Sequence, residues 1–123
     1  MFHDNTTYIL FSESLIDNGV DMNAKNKESL TPLHIAAEKG HIEFVKMLVA
    51  YGAKVNILTN KYESPLHLAA RNGHCEVAEI LAKNGAILDA KNKDKKTPTD
   101  LACLNGHEKI AEYITYQKWN HLL

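Results

Sequence analysis

One phrase of seven residues returns twice in this chain at a fixed interval. Thr31-Pro32-Leu33-His34-Ile35-Ala36-Ala37 recurs as Ser64-Pro65-Leu66-His67-Leu68-Ala69-Ala70. It recurs again, weakened, as Thr97-Pro98-Thr99-Asp100-Leu101-Ala102-Cys103. Each step is 33 residues. Gly40-His41 returns in the same register as Gly73-His74 and Gly106-His107, and a third marker runs Gly19, Gly52, Gly85. Three independent markers in one phase, without insertions, define a repeat. A unit of this length is one supersecondary element that buries its apolar face only against its neighbours.

The chemistry of one unit follows from its residues. Thr31, Ser64 and Thr97 each precede a proline and an apolar pattern of helical spacing. A hydroxyl at a helix cap accepts a bond from an orphan backbone N–H, and proline suits the first helical position. Leu33, Ile35, Ala36 and Ala37 then predict a short helix with a small-residue face, ended by Gly40. A second helix begins near His41, with Phe44, Val45, Met47, Leu48 and Val49 on its buried side, and ends at Gly52. Val77, Ala78, Ile80 and Leu81 repeat that side one unit later. Val55 to Glu63 remain for a connection back to the next proline. Helices of about ten residues are too short to be stable alone, so stability must come from stacking.

A 33-residue period carrying Thr-Pro-Leu-His-x-Ala resembles the ankyrin repeat, over about residues 8–117. The resemblance implies an all-α solenoid of stacked helix-turn-helix units with loop or β-hairpin tips. One domain is expected across residues 1–123: an incomplete N-terminal repeat (1–30), repeats 31–63 and 64–96, and a C-terminal capping repeat (97–123). The function it implies is a non-catalytic protein-protein interaction module, binding an unidentified protein through the concave face of loop tips and first helices. The partner-facing positions carry over one by one. They are Lys25, Lys27, Glu28 and Leu30 in the first loop, with Glu38 and Lys39 on the first helix. They are Leu58, Asn60, Lys61, Tyr62 and Glu63 in the second, with Arg71 and Asn72. They are Lys91, Lys93, Asp94 and Lys96 in the third, with Leu104 and Asn105. The family usually has glycine two residues before the Thr-Pro pair, where this chain has Ser29, Tyr62 and Lys95. None of these adopts positive φ cheaply, so strained or non-standard turns are expected. Two readings stand open for Tyr62: an exposed aromatic anchor of an interface, or a ring lying flat on its own loop.

Both ends depart from the pattern. Tyr8 to Asn18 align with His41 to Tyr51, so the matching first helix would precede Met1. The chain is then either a fragment of a longer array or an array that starts half a repeat in. This motivates an alternative function, a structural or assembly piece that self-associates through its incomplete N-terminal repeat. A monomer or weak homo-oligomer is expected. In the last unit Glu108, Lys109 and Glu112 suit a polar cap, and Tyr113, Tyr116 and Trp119 are expected to fold back as a final apolar cap.

Composition sets the exclusions. Lys and Arg number 14 and Asp and Glu 15, a formal charge of −1, which disfavours a nucleic-acid partner. No apolar run approaches the roughly 18 residues that span a bilayer, so no membrane partner is expected. The N-terminus lacks the basic start of a secretory signal. Cys75 and Cys103 form no disulfide framework, which makes the cytosol or nucleus the default compartment. A composition rich in Lys, Asn and Ile suggests an AT-rich genome, that of an intracellular bacterium or a protist, and in that case a host cytosol.

Candidate chemistry is sparse. His34 and His67 occupy equivalent positions one unit apart, and zinc needs ligand atoms roughly 2 Å from one centre, so this ladder reads as hydrogen bonding around the cap and the neighbouring loop. His41, His74 and His107 recur in the same way. Cys75 and Cys103 align with apolar residues and read as small buried hydrophobes. No phosphate loop, nucleophile triad or carboxylate pair is present, so no catalytic residue, metal or cofactor is expected. The run Lys91-Asn92-Lys93-Asp94-Lys95-Lys96 is a solvated loop, a contact for an acidic partner, or an interrupted import signal. Asn23 and Asn56 occupy a position hydroxylated in some ankyrin-like proteins, with the turn's own backbone as the alternative partner of each side chain.

Overall fold

The computed structural model describes residues 22–120. Six helices follow in chain order: α1 (Pro32–Lys39), α2 (Ile42–Ala50), α3 (Pro65–Asn72), α4 (Cys75–Lys83), α5 (Pro98–Leu104) and α6 (Glu108–Asn120). No strand occurs among the described residues, so the tips expected as loops or hairpins are hydrogen-bonded turns. No described helix is long and apolar enough to cross a membrane. The helix and self-association surface expected of the N-terminal half-repeat would fall on residues 1–21, outside the described residues.

Each unit is entered through the same local device. Thr31, Ser64 and Thr97 have extended backbone, and their hydroxyl oxygens accept from the N–H of His34, His67 and Asp100. The side chains of those three residues reach back to the cap N–H, closing a capping box in every unit. Such a cap is worth about 1 kcal/mol. The first helix leaves through a left-handed glycine. At Gly40, φ is 72°, and the next N–H, of His41, bonds the Ala36 carbonyl at 3.0 Å.

Gly40 has a second reason to lack a side chain. A Cβ there would lie 2.6 Å from Nδ1 of His74, in the following unit. That ring is held, because its Nε2–H donates to the Glu38 carbonyl at 2.9 Å. The histidine at the start of a second helix therefore locks onto the first-helix exit of the previous unit. A Cβ at Gly73 would likewise lie 2.7 Å from the ring of His107.

Packing follows the small-residue pattern. Ala36, Ala37, Ala69, Ala70 and Ala102 are all fully buried. They let α1, α3 and α5 stack closely, whereas α2, α4 and α6 touch one another less extensively. Behind them Val45, Leu48, Val77, Leu81, Ile110 and Ile114 fill the core. Each such burial contributes about 1.5–3 kcal/mol before the entropy of ordering is counted.

Three expectations are corrected. Only Tyr113 of the terminal aromatics packs against the core, while Tyr116 and Trp119 are 64% and 63% exposed. A spacing of three residues falls behind the helical repeat by about 60° per step. Tyr116 is thus carried to the face opposite Ile110 and Ile114. Cys103 is exposed rather than buried, because no described unit stacks on that side of α5. Asn23 and Asn56 reach beyond their own turns. The Oδ1 of Asn23 accepts from Lys54 N–H at 2.9 Å, and Asn56 bonds Ile87 N–H and the Gly85 carbonyl. Both join successive units.

Replacing Gly40 with Ala is expected to destabilise more than replacing Gly106 with Ala. Gly106 also has positive φ, 76°, but nothing lies near its missing Cβ. Gly106→Ala should cost about 1–2 kcal/mol of backbone strain. Gly40→Ala should add about 1–3 kcal/mol of overpacking against His74. Urea midpoints would measure both, and equal losses would remove the ring contact from the argument.

Candidate functional site

The three tips, residues 25–30, 58–63 and 91–96, are built alike. In each, two backbone bonds close the turn: Ser29 N–H to Asn26 O and Asn26 N–H to Leu30 O, at 3.0 and 2.9 Å in the first. Thr59, Tyr62 and Glu63 repeat the pair, as do Asn92, Lys95 and Lys96. A side-chain oxygen staples each turn from inside. Asn26 Oδ1 accepts from Glu28 and Leu30, Thr59 Oγ1 from Lys61 and Glu63, and Asn92 Oδ1 from Asp94 and Lys96. Closing the turn this way drives its fourth residue into left-handed backbone. Ser29, Tyr62 and Lys95 have φ of 65°, 59° and 62°. The strain expected from the missing glycines is realised at all three, at about 1–2 kcal/mol each.

The tips are fastened to one another. Nδ1 of His34 accepts from Thr31 N–H at 3.1 Å, so its proton is on Nε2, which donates to the Glu63 carbonyl at 3.0 Å. His67 does the same between Ser64 and the Lys96 carbonyl. Asp100, the third rung, closes its cap but has no ring N–H to extend forward. Lys25 Nζ donates to the Leu58 carbonyl, and Lys93 N–H to the Lys61 carbonyl, at 3.0 and 2.9 Å. The three turns form one continuous edge.

A buried clasp lies beneath the second tip. Glu63 is 5% exposed, and both its carboxylate oxygens bond the Arg71 guanidinium. Asn92 Nδ2 adds a third bond at 2.9 Å from the next tip. Burial pushes the Glu63 carboxyl up, but the bonds from Arg71 and then Asn92 outweigh it and hold the group below its ordinary value. Glu63 therefore differs from the other positions expected to face a partner: its carboxylate is turned inward and fully engaged. Arg71 is half-buried and engaged with it.

Most other candidate residues do line the edge. Lys27, Glu28, Glu38, Lys39, Asn60, Lys61, Lys91, Lys93, Asp94 and Lys96 are exposed, and Leu30 is half-buried. Leu58, Tyr62 and Leu104 are exposed by 38%, 55% and 67%. Asn72 and Asn105 are exposed but bond the carbonyls of Leu68 and Leu101, closing their own helices. Two shallow depressions flank the clasp. One, of about 370 Å³, runs between Glu28, Glu38 and Lys61 over Leu68. The other, of about 360 Å³, runs between Lys61, Lys93 and Asp94. The sequence reading missed the staples. Thr59 and Asn92 are buried, and the signal for them was the recurrence of a side-chain oxygen at 26, 59 and 92. It also missed a larger concavity of about 730 Å³ away from the tips, between Ala86, Leu88 and Asp89 and the end of α6 at Trp119. There α6 continues straight where α2 and α4 give way to turns. Among the described residues no group of three or more His, Cys, Asp or Glu is placed to hold a metal ion.

The repeated helix pairs agree with the comparison to known families. A family model described as ankyrin repeats, three copies, matches residues 6–92 and 52–121. The chain belongs to the ankyrin-repeat family. Repeats of this family are generally protein-protein interaction modules and are typically non-catalytic. No curated protein matches the chain.

Stability should fall with acidification in two stages. Burial holds the imidazoles of His34 and His67 below 6.5 in the folded protein, despite the carbonyls of Glu63 and Lys96 that favour the charged form. Their contribution is fully present above pH 6.5 and is lost as the pH falls from there through the lowered folded values. Glu63 adds a second loss below pH 4.5, where its carboxylate takes up a proton. Urea midpoints measured from about pH 7.5 to about pH 5.5 should decline, and more shallowly with His34→Gln and His67→Gln. A flat profile in the parent chain would mean the rings titrate alike folded and unfolded.

Removing one half of the clasp should harm more than removing both. Arg71→Ala leaves a buried carboxylate with a single side-chain partner. Because the Arg71 side chain is 35% exposed, the loss should be about 1–2 kcal/mol, below that of a fully buried pair. Adding Glu63→Gln should recover part of it in thermal melts; a further additive loss would contradict the clasp.

Proposed function

We propose that this chain is a non-catalytic protein-binding module that takes its partner along the edge of loop tips and first helices. One observation carries the reading. Tyr62 holds a large aromatic ring 55% exposed, at a backbone position where glycine would relieve strain. The fold needs only the turn there, so the ring is free to serve recognition. Leu58 on the same tip and Leu104 at the end of α5 add exposed apolar surface. Apolar anchors set among mobile charged side chains are typical of binding hot spots. The backbone beneath is fastened by bonds between units, so little ordering is required of it on association.

Tyr62→Gly separates folding from binding. It should raise the urea midpoint, by about 1 kcal/mol of relieved strain. It should also weaken capture of a protein partner by about 2 kcal/mol, roughly thirtyfold. Ser29→Gly should stabilise similarly and leave capture unchanged. Affinity measured for the three chains against one captured partner decides the matter. Undiminished binding by a chain carrying Tyr62→Gly, Leu58→Ser and Leu104→Ser would move the interface off this edge.

A further inference from the structure

We infer that the segment seated on this edge is acidic: an extended stretch of a partner protein rich in Asp and Glu, lying across the three tips. The inference rests on the protein-binding reading and adds the chemistry of the partner. The whole chain is nearly neutral, with a formal charge of −1, but its charge is not evenly spread. The three tips carry seven lysines against three carboxylates. One of those carboxylates, Glu63, is buried and already paired with Arg71, leaving only Glu28 and Asp94 to face solvent. Helices α2, α4 and α6, on the other side of the stack, carry four lysines against five glutamates. The positive charge is a property of one edge.

That charge is also unspent. Among the described residues the only ion pairs are Lys46 with Glu43 and Arg71 with Glu63. Lys61, Lys91, Lys93, Lys95 and Lys96 are exposed, and none has a carboxylate within ion-pairing distance. Asp94, amid four of them, donates its N–H to Asn92 and leaves its carboxylate unpaired. Like charges brought this close repel one another, and an anionic ligand converts that repulsion into attraction. The edge is continuous, because Lys93 N–H bonds the Lys61 carbonyl and Lys25 reaches the Leu58 carbonyl. With stacked helices about 8–10 Å apart, three tips span about 20 Å. An extended chain covers that in about six residues. The exposed ring of Tyr62 interrupts the lysines near the middle of the edge and offers a contact to side-chain methylenes or an apolar residue. Apolar contact at Tyr62 and Leu58 suits a polypeptide better than a phosphate ladder, which would call for a basic surface on the first helices too. Those helices carry Glu38 and Asp100 against Lys39 and Arg71, and Arg71 is already spent on Glu63.

The test uses the full chain and fluorescein-labelled probes read by anisotropy. The probes are an octapeptide alternating Glu and Ser, its counterpart alternating Lys and Ser, and a single-stranded thymidine octanucleotide. One variant carries Lys61→Glu, Lys93→Glu and Lys96→Glu. A second makes the same charge change on the second helices, with Lys46→Glu, Lys83→Glu and Lys109→Glu. The acidic peptide should bind, the basic one should not, and binding should weaken with added salt. The tip variant should lose about tenfold or more and the helix variant less than about twofold. In the unaltered chain, bound acidic peptide should shield Lys61, Lys93 and Lys95 from acetylation but not Lys46, Lys83 or Lys109, a readout independent of any variant's folding. Absent binding of the acidic peptide, equal loss in both variants, or tighter binding of the oligonucleotide would each overturn the inference. A captured protein that is lost from Tyr62→Gly but indifferent to the tip variant and to the acidic peptide would leave the binding edge standing and remove its acidic ligand.

Discussion

The structure depends on a neutral imidazole used at both nitrogens. In His34 and His67, Nδ1 accepts the cap N–H of its own helix while Nε2–H donates to the last carbonyl of the next tip. One ring thus completes a local helix start and fixes the position of a loop 29 residues away. No aliphatic side chain could replace it, and a charged ring would turn a donor against the cap N–H. Buried hydrogen bonds of this kind are strong because the surroundings are apolar, and they are unforgiving for the same reason. The tips hold their shape because the histidines hold their ends.

From that constraint follows a division of labour along the edge. Backbone groups and a few inward side chains carry the architecture: the staples at Asn26, Thr59 and Asn92, and the Glu63–Arg71 pair. Nearly everything pointing outward is released from structural duty. Left-handed backbone at Ser29, Tyr62 and Lys95 is the residual strain of closing turns without glycine. It persists because two backbone bonds and a side-chain oxygen determine each turn together. A rigid frame with free side chains is suited to recognition, since binding then orders side chains and little else.

The last unit shows how far a repeat can be trusted. Asp100 keeps the cap of α5 but not the forward bond, because a carboxylate accepts only. Helix α6 keeps the apolar positions Ile110, Ala111 and Ile114 and then runs on to Asn120. Its extension brings Trp119 beside Ala86 and Leu88, walling a concavity of about 730 Å³ whose counterpart one unit earlier, beside Ala53 and Val55, is about 550 Å³. Tyr116, on the face of α6 away from Ile110 and Ile114, is turned to solvent. Register predicted which residues would pack, and helical angle decided which of the added aromatics could.

The helix pairs, their caps and their order were legible in the sequence because each depends on neighbours within a few residues. A hydroxyl before proline and a glycine after two alanines act locally, and a constant period of 33 residues implies that each unit meets its copy in the same way. The unusual tip residues were legible too, since the missing glycines sit at a position that demands positive φ. Only the tertiary structure decided which charged residues of the edge remain available. Glu63 and Lys61 stand two positions apart and look alike on paper. One is buried against Arg71 and Asn92, from another helix and another unit, while the other faces solvent. The exposure of Cys103, the reach of Asn23 and Asn56 into the next unit, and the contact of His74 with Gly40 were decided in the same way. The contacts of Asn23, Asn56 and His74 join atoms about 30 residues distant, brought together only by stacking, and no local pattern encodes them.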